Sequence, residues 1–425
     1  MLCKSAAIGD VPEHWHVGPL RDALDLITYG FTNPMPDADD GPWKLTAKDI
    51  VDGQIRYETA RRTTEAAYKT FLTDKSRPRV GDVLLTKDGS IGRVAVADRD
   101  GLCINQSVAL LRPNARVLPR FLAFLLRSPY YQQRMESDSD GSTIKHIYIT
   151  RVDKMEIALP PVHEQAELLS ILGTLDDRID LLRQTNATLE SIAQALFKSW
   201  FIDFDPVRAK AEGREPEGMD AATAALFPAE FEDSALGLIP KGWGITQLCK
   251  IAELVKGRSY KSSELADSET ALVTLKSFER GGGFREDGFK SYQGSFKPVQ
   301  VVAAGECVIA LTDVTQQAEV IGRAALVTAS PNHNKLVASL DVGVLRPIAE
   351  GLTGSFLYFL CRGERYVQHV LGYTSGTTVL HLAKEGVESF QLPMPPSEVA
   401  RSYSALTEPL LQRITHNKLA AKVLV

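Results

Sequence analysis

IGDVPEHWHVGPLRDALDLI at residues 8–27 and LGLIPKGWGITQLCKIAELV at 236–255 are one pattern written twice. Gly9, Pro12, Trp15, Leu20 and Leu26 fall on Gly237, Pro240, Trp243, Leu248 and Leu254, a shift of 228, and the same shift carries Thr46, Lys48 and Gly53 onto Thr274, Lys276 and Gly281. Further along, VGDVLLTKDGSIGR (80–93) meets AGECVIALTDVTQQAEVIGR (304–323), with six extra residues between the shared Gly-acid start and Ile-Gly-Arg end. VALLRP (108–113) then meets VGVLRP (342–347), FLAFLL meets FLYFLC, GSTIKHI (141–147) meets GTTVLHL (376–382), and LPP (159–161) meets MPP (394–396). An ordered series whose shift changes only by small insertions is a tandem duplication. The insertion is expected at a turn. The two repeats, 1–160 and 236–396, are each long enough to hold a core alone, unlike a short solenoid module. Between them lies a helix and linker, 161–235, and a second helix follows at 397–425.

The helical segments carry the second signal. After Pro160 and Pro161, which favour a helix start, Leu168, Leu172, Leu175, Ile179, Leu182, Asn186, Leu189, Ala193, Leu196 and Trp200 recur at alternating steps of four and three. This heptad seam predicts a coiled coil, with Asn186 penalising wrong registers. After Pro395 and Pro396, Tyr403, Thr407, Leu410, Ile414, Asn417, Ala421 and Leu424 occupy the equivalent positions. The fold class expected is α+β: two repeated mixed α/β domains separated by long helices that form an antiparallel coiled coil. Pro409 inside the second seam predicts a kink and a shorter helix. A helix from 162 to 200 would be about 58 Å long, setting the scale of the separation.

Composition narrows the function. The chain has 425 residues, 44% hydrophobic and 24% charged, with 48 basic against 53 acidic residues, as in an ordinary folded protein. Residues 161–235 hold 6 basic against 15 acidic residues, while both repeats are near neutral. A bound polyanion would therefore sit on the repeats. Residues 55–80 hold Arg56, Arg61, Arg62, Lys69, Lys75, Arg77 and Arg79 against Glu58, Glu65 and Asp74, a run read first as a solvated face. Five dispersed cysteines, without a C-x-x-C pair, predict reduced packing residues. MLCKSAAIGD lacks the apolar core of a signal peptide and no run reaches the ~18 apolar residues of a spanning helix; a cytoplasmic protein is expected, with no membrane partner.

No phosphate loop, no G-x-G-x-x-G after a strand, no H-E-x-x-H and no N-P-P-[YF] tetrapeptide occurs. Only His146 and His381 recur between repeats, without a recurring carboxylate or nucleophile, and read as hydrogen-bonding or packing residues. The expectation is a chain without catalytic residues, metal or cofactor.

LPPVHEQAELLSILGTLDDRIDLLRQTNATLESIAQALFKSWFIDFDPV, then EGREPEGM, LFPAEFEDSALGLIPKGW and a second variable domain, closely resemble the central region of the specificity subunits of type I restriction-modification systems. GDVLLTKDGSIGR belongs to the likeness, which covers essentially the whole chain. The resemblance implies two target recognition domains, each reading one half of a split site in double-stranded DNA. It also implies an antiparallel helical spacer that docks two methylation subunits, which would bind S-adenosylmethionine, and a restriction subunit with an ATP-dependent motor. One departure is the short second helix, about 29 residues after Pro396 against about 75 between Pro161 and the second domain. A protein-binding scaffold, or a nuclease or methyltransferase with an unrecognised site, are the competing functions.

Base edges are best read by Arg, Lys, Asn and Gln, and phosphates are bound by Lys, Arg and small hydroxyls. The candidate DNA-binding residues are therefore on the turns between framework strands: Lys87, Asp88, Ser90 and Arg93, with Thr312, Gln316, Gln317 and Arg323 in the second repeat. The Thr-rich loops add Thr143, Lys145 and His146, and Thr377, Thr378 and His381. Lys48 and Lys276 are expected on phosphate. The partner-docking and coiled-coil residues are the seam positions, chiefly Leu168, Leu172, Leu175, Ile179, Leu182, Asn186, Leu189, Leu196, Trp200, Leu410, Ile414 and Leu424.

Overall fold

The computed structural model describes residues 2–5 (backbone only), 8–141, 145–315, 317–330 and 332–424. It divides into two compact units, Met1–Arg178 and Ile179–Val425. In the first, VLL and the VALL that opens VALLRP are unbroken apolar runs, as expected of strands covered on both faces. They form the middle of an antiparallel sheet in the order Val94–Val96, Val83–Thr86, Val108–Pro113, Leu24–Tyr29. Alternation along the strands splits the core in two. Val83, Leu85, Ala109 and Leu111 pack under Phe121, Leu122 and Leu126 of the helix Pro119–Arg127. Leu84, Ala95, Val108 and Leu110 pack on the opposite side with Leu45, Ile50, Leu102 and Ile104.

The second unit repeats this layout. Its sheet runs Ala324–Leu326, Cys307–Ala310, Val342–Pro347, Ala252–Lys256. Cys307 and Ile309 pack under Phe356 and Leu357 of the helix Gly354–Arg362, while Val308 and Ala310 face Ala271, Val273 and Leu336. Pairing is conserved to the residue. Val83 opposes Leu111 as Cys307 opposes Leu345, and Leu85 opposes Val94 as Ile309 opposes Ala324. A parallel pair also recurs, Leu45 beside Ile104 and Val273 beside Ala338. Each partner lies at the shift read from the sequence, so the duplication extends to the hydrogen-bond register.

One partly buried ion pair recurs with the sheets. Arg112 makes two bonds to Asp82, at 2.9 and 2.8 Å, and Arg346 meets Glu306 at 2.6 and 3.4 Å. In each domain the arginine of the long central strand grips the acid that opens its neighbour.

The long helix, Val162–Phe201, has 40 residues and is about 60 Å long. At its start Gln165 is fully buried, accepts the Leu118 amide at 2.9 Å and donates to the Arg116 and Pro160 carbonyls at 2.8 Å. Leu168 and Leu169 extend the first unit's core. At its end Ala193, Phe197, Trp200 and Phe201 enter the core of the second unit.

The C-terminal helix, Ser397–Val423, spans 27 residues and continues past Pro409, which is on its exposed side. Within the second unit the two helices pair antiparallel. Asn186 bonds Asn417 at 2.9 Å, and Tyr403 packs on Phe197, Trp200 and Phe201 while its hydroxyl donates to the Ala193 carbonyl at 3.1 Å. Tyr403, Thr407, Ile414 and Asn417 are buried, with Leu410, Ala421 and Leu424 half-buried between them. Ile179, Leu182, Ala193 and Trp200 are buried on the long helix, Leu189 and Leu196 are half-buried, and Leu172 and Leu175 are exposed. The two asparagines satisfy each other, so the polar position of one seam meets that of the other. From Ile179 onward the buried pattern follows the heptad, as it does on the C-terminal helix, whereas Leu172 and Leu175, expected on the coiled-coil seam, are exposed because no second helix covers them among the described residues of the first unit.

Candidate nucleic-acid interface

Each unit presents a variable turn between a central strand and the neighbouring edge strand of its sheet, and a buried polar side chain shapes it. In the first unit the Thr86 hydroxyl accepts the Arg93 amide at 2.9 Å and donates to the Ser90 carbonyl, closing the turn 87–92. Gly89 and Gly92 take positive φ, +76° and +83°, that other residues rarely adopt. Lys87 points inward: it is buried, its ammonium is 3.0 Å from Asp88, and it lies 5.3 Å from the centre of the Tyr29 ring. Asp88 is shared with His146 Nδ1, the two residues also pairing as a short bridge. Ser90 and Arg93 are exposed, and Arg93 reaches the Ile50 carbonyl at 3.3 Å. Lys145 is exposed and paired to Glu136.

The second unit has the same plan with the six-residue insertion at the turn. Asp313 is buried and accepts three backbone amides, from Thr315 and Val320 at 2.6 Å and Ile321 at 2.9 Å. Burial pushes the Asp313 pKa up, but these amide donors favour the anion and hold it below the ordinary 3.8. Val314 and Gln317 are exposed on the turn they shape. Thr312 is buried, bonds Asp341 at 2.9 Å and pairs in a ladder with His381, at the place where Asp88 meets His146. His381, Thr377 and Thr378 are exposed on the hairpin joining Thr374–Ser375 to Leu380–Leu382. Arg323 is half-buried, and its Nε has no hydrogen-bond partner among the described residues. Thr143 and Gln316 lie outside the described residues.

Lys48 and Lys276 recur for a local reason. Thr46 and Thr274 cap identical short turns by accepting the amides of Lys48 and Lys276, at 3.4 and 3.2 Å, and leave both lysines exposed. In the second unit Lys276, Arg280 and Arg285 line one cleft with Asp313, Val314 and Thr315. In the first unit the Arg93 bond to Ile50 holds the Lys48 turn against the variable turn. The basic run of 55–80 is largely neutralised. Arg61 meets Asp37 at 3.1 Å, Arg62 meets Asp40 at 2.6 Å, and Arg79 meets Asp74 at 2.6 Å. Arg77 instead donates to the Tyr68 and Lys69 carbonyls, at 2.8 and 3.0 Å.

Sequence reasoning passed over two exposed aromatics. Tyr29 lies against Lys87, and Tyr148 is edge-on to His146 with Arg151 over its face at 5.4 Å. Their exposures are 45% and 50%. An aromatic directly after the repeated His-containing motif was the available signal. Both aromatic faces and the exposed cations suit a base-rich polyanion. Among the described residues, no helix is long and apolar enough to cross a membrane.

Residues 35–191 match the family model of the type I restriction modification DNA specificity domain. The chain is 25% identical over 431 aligned residues to the MjaIX type I restriction enzyme specificity subunit of Methanocaldococcus jannaschii, covering 99% of this chain and 92% of that one. It is 32% identical over 234 residues to the HindI specificity subunit of Haemophilus influenzae, covering 44% and 51%. Among solved structures, the S subunit of a type I restriction-modification system from M. genitalium shares the fold, with a TM-score of 0.51 over 96% of this chain and 92% of that one at 14% identity. The resemblance read in the sequence is borne out.

Proposed function

We propose that this chain, a relative of the type I specificity subunits along nearly its whole length, is the DNA-reading subunit of a type I restriction-modification complex. Each repeat reads one half of a bipartite site in double-stranded DNA, with the helices setting the spacing and docking the methylation subunits. The observation that carries the reading is the division inside each repeat. Strand register and the Arg–acid pair are kept, whereas the turn at 87–92 and its counterpart at 311–322 differ in length, sequence and internal clamp. A constant frame with one variable edge is what two readers of different sequences require.

In this reading the exposed Ser90, Arg93 and Lys145, with Gln317, Arg323 and His381, face the bases or their phosphates, and Lys48 and Lys276 bind phosphate. Lys87 and Asp88 shape the turn, since their charges already meet each other. The chain itself performs no chemistry. Methylation subunits would bring S-adenosylmethionine and the restriction subunit its ATP-dependent motor, in the cytoplasm. The acidic character of 161–235 keeps phosphates between the half-sites off the spacer.

The test is a duplex titration of the complex assembled with its methylation subunits, at two salt concentrations. Lys48→Ala with Lys276→Ala should lower affinity on every duplex and reduce the salt slope by about 2, one per lost phosphate contact. An unchanged slope, or methylation by the isolated chain, would contradict the reading.

A further inference from the structure

The helices Pro119–Arg127 and Gly354–Arg362 are the same element in the two repeats, and both end on an arginine. Each of those arginines holds a carboxylate of the one long helix. In the first unit Arg127 is bidentate on Asp176, at 3.2 and 3.1 Å. In the second unit Arg362 donates to Glu190, which also accepts the Tyr358 hydroxyl. All four charged side chains are half-buried, between 20% and 36% exposed, where an ion pair with directed hydrogen bonds counts for more than it does on an open surface.

The surroundings of both pairs are built to keep them. A Cβ added at Gly53, φ +86°, would come within 2.7 Å of Arg127 Nη1, so that glycine leaves room for the guanidinium. Arg120, about two turns earlier on the same face of the helix, adds bonds to Asp177 and to the Gly173 carbonyl. Tyr358 is buried and packs 5.0 Å from Phe359. The two acids are not a repeat of each other, because both come from the single helix; only the arginines are duplicated. Fourteen residues, two heptads, separate Asp176 from Glu190.

We infer that the pairs Arg127–Asp176 and Arg362–Glu190 are matched anchors, positioning residues that fix where on the helix each reading domain holds and so define the gap between the half-sites. This rests on the bipartite-reader function proposed above. The arginines do not read DNA; they act through the domains they hold.

The experiment uses the complex assembled with its methylation subunits, a random-sequence duplex library and sequencing of methylated duplexes. Wild type should give two half-sites at one gap length. Arg127→Ala and Arg362→Ala should keep both half-site sequences while raising the share of sites one base pair longer or shorter by about tenfold. The charge exchange Arg362→Glu with Glu190→Arg should return the distribution toward one length, which loss of folding alone could not do. If every variant kept one gap length, or if a half-site sequence changed, the anchors would be refuted. Failure of all variants, including Arg362→Lys, to assemble would also refute them, because the pairs would then be folding contacts. A wild-type complex that methylates no bipartite site would overturn the underlying function instead.

Discussion

At the residue scale, the partly buried Arg112–Asp82 pair shows which charges belong to the frame. Asp82 is 3% exposed and also accepts the Arg79 amide at 2.8 Å, so Arg112→Ala leaves a buried carboxylate without its counter-charge. The expected cost is about 3 kcal/mol, read as a lower thermal midpoint of the first unit, while replacement of both partners by apolar residues should recover most of it. Asp313 gives a pH-dependent counterpart. Its folded pKa is lowered from 3.8, so its stabilising contribution is fully present above that value and lost as pH falls through the lowered one. Asp313→Asn should therefore destabilise at pH 7, and the difference from wild type should close in thermal unfolding series taken below pH 3.8. A difference that persists at low pH would show that the carboxylate charge is not what shapes the turn. These roles were only partly legible in the sequence. The repeat placed Lys87 on a turn, but its inward course depends on Tyr29, 58 residues earlier in the chain, and on an acid shared with His146. Lys48 and Lys276 were legible because the Thr-x-Lys spacing is itself the cap that exposes them.

At the scale of elements, the heptad marked the helices because burial on a helix repeats every three to four residues, and their antiparallel direction was legible from the globular domain that separates the two segments in one chain. The same pattern could not show that Phe197, Trp200 and Phe201 enter a domain core, since an apolar stripe records burial without naming its cover. The duplication marked which strands correspond between the repeats but not which strands pair within one; the matching registers are seen in the fold. The asparagine pair invites a double-mutant cycle. Asn417 is 2% exposed and its amide donates to Asn186. Asn186→Leu alone strands that amide and should cost about 1–3 kcal/mol. Asn186→Leu with Asn417→Leu should be near neutral or stabilising in urea unfolding, and a double variant as weak as the single would mean that the pair's value lies in packing rather than in the hydrogen bond.

For the whole molecule, the account rests on two readers that vary independently on one frame. Their framework pairs and core alternation recur, while the turns between the paired strands diverge in length and sequence. The direct measurement is sequencing of methylated DNA from the assembled complex carrying either the wild-type chain or a chain whose residues 1–160 come from a relative. One half-site should change, with the other half-site and the gap between them retained. Both half-sites changing together, or the gap changing with them, would contradict two independent readers on a common spacer.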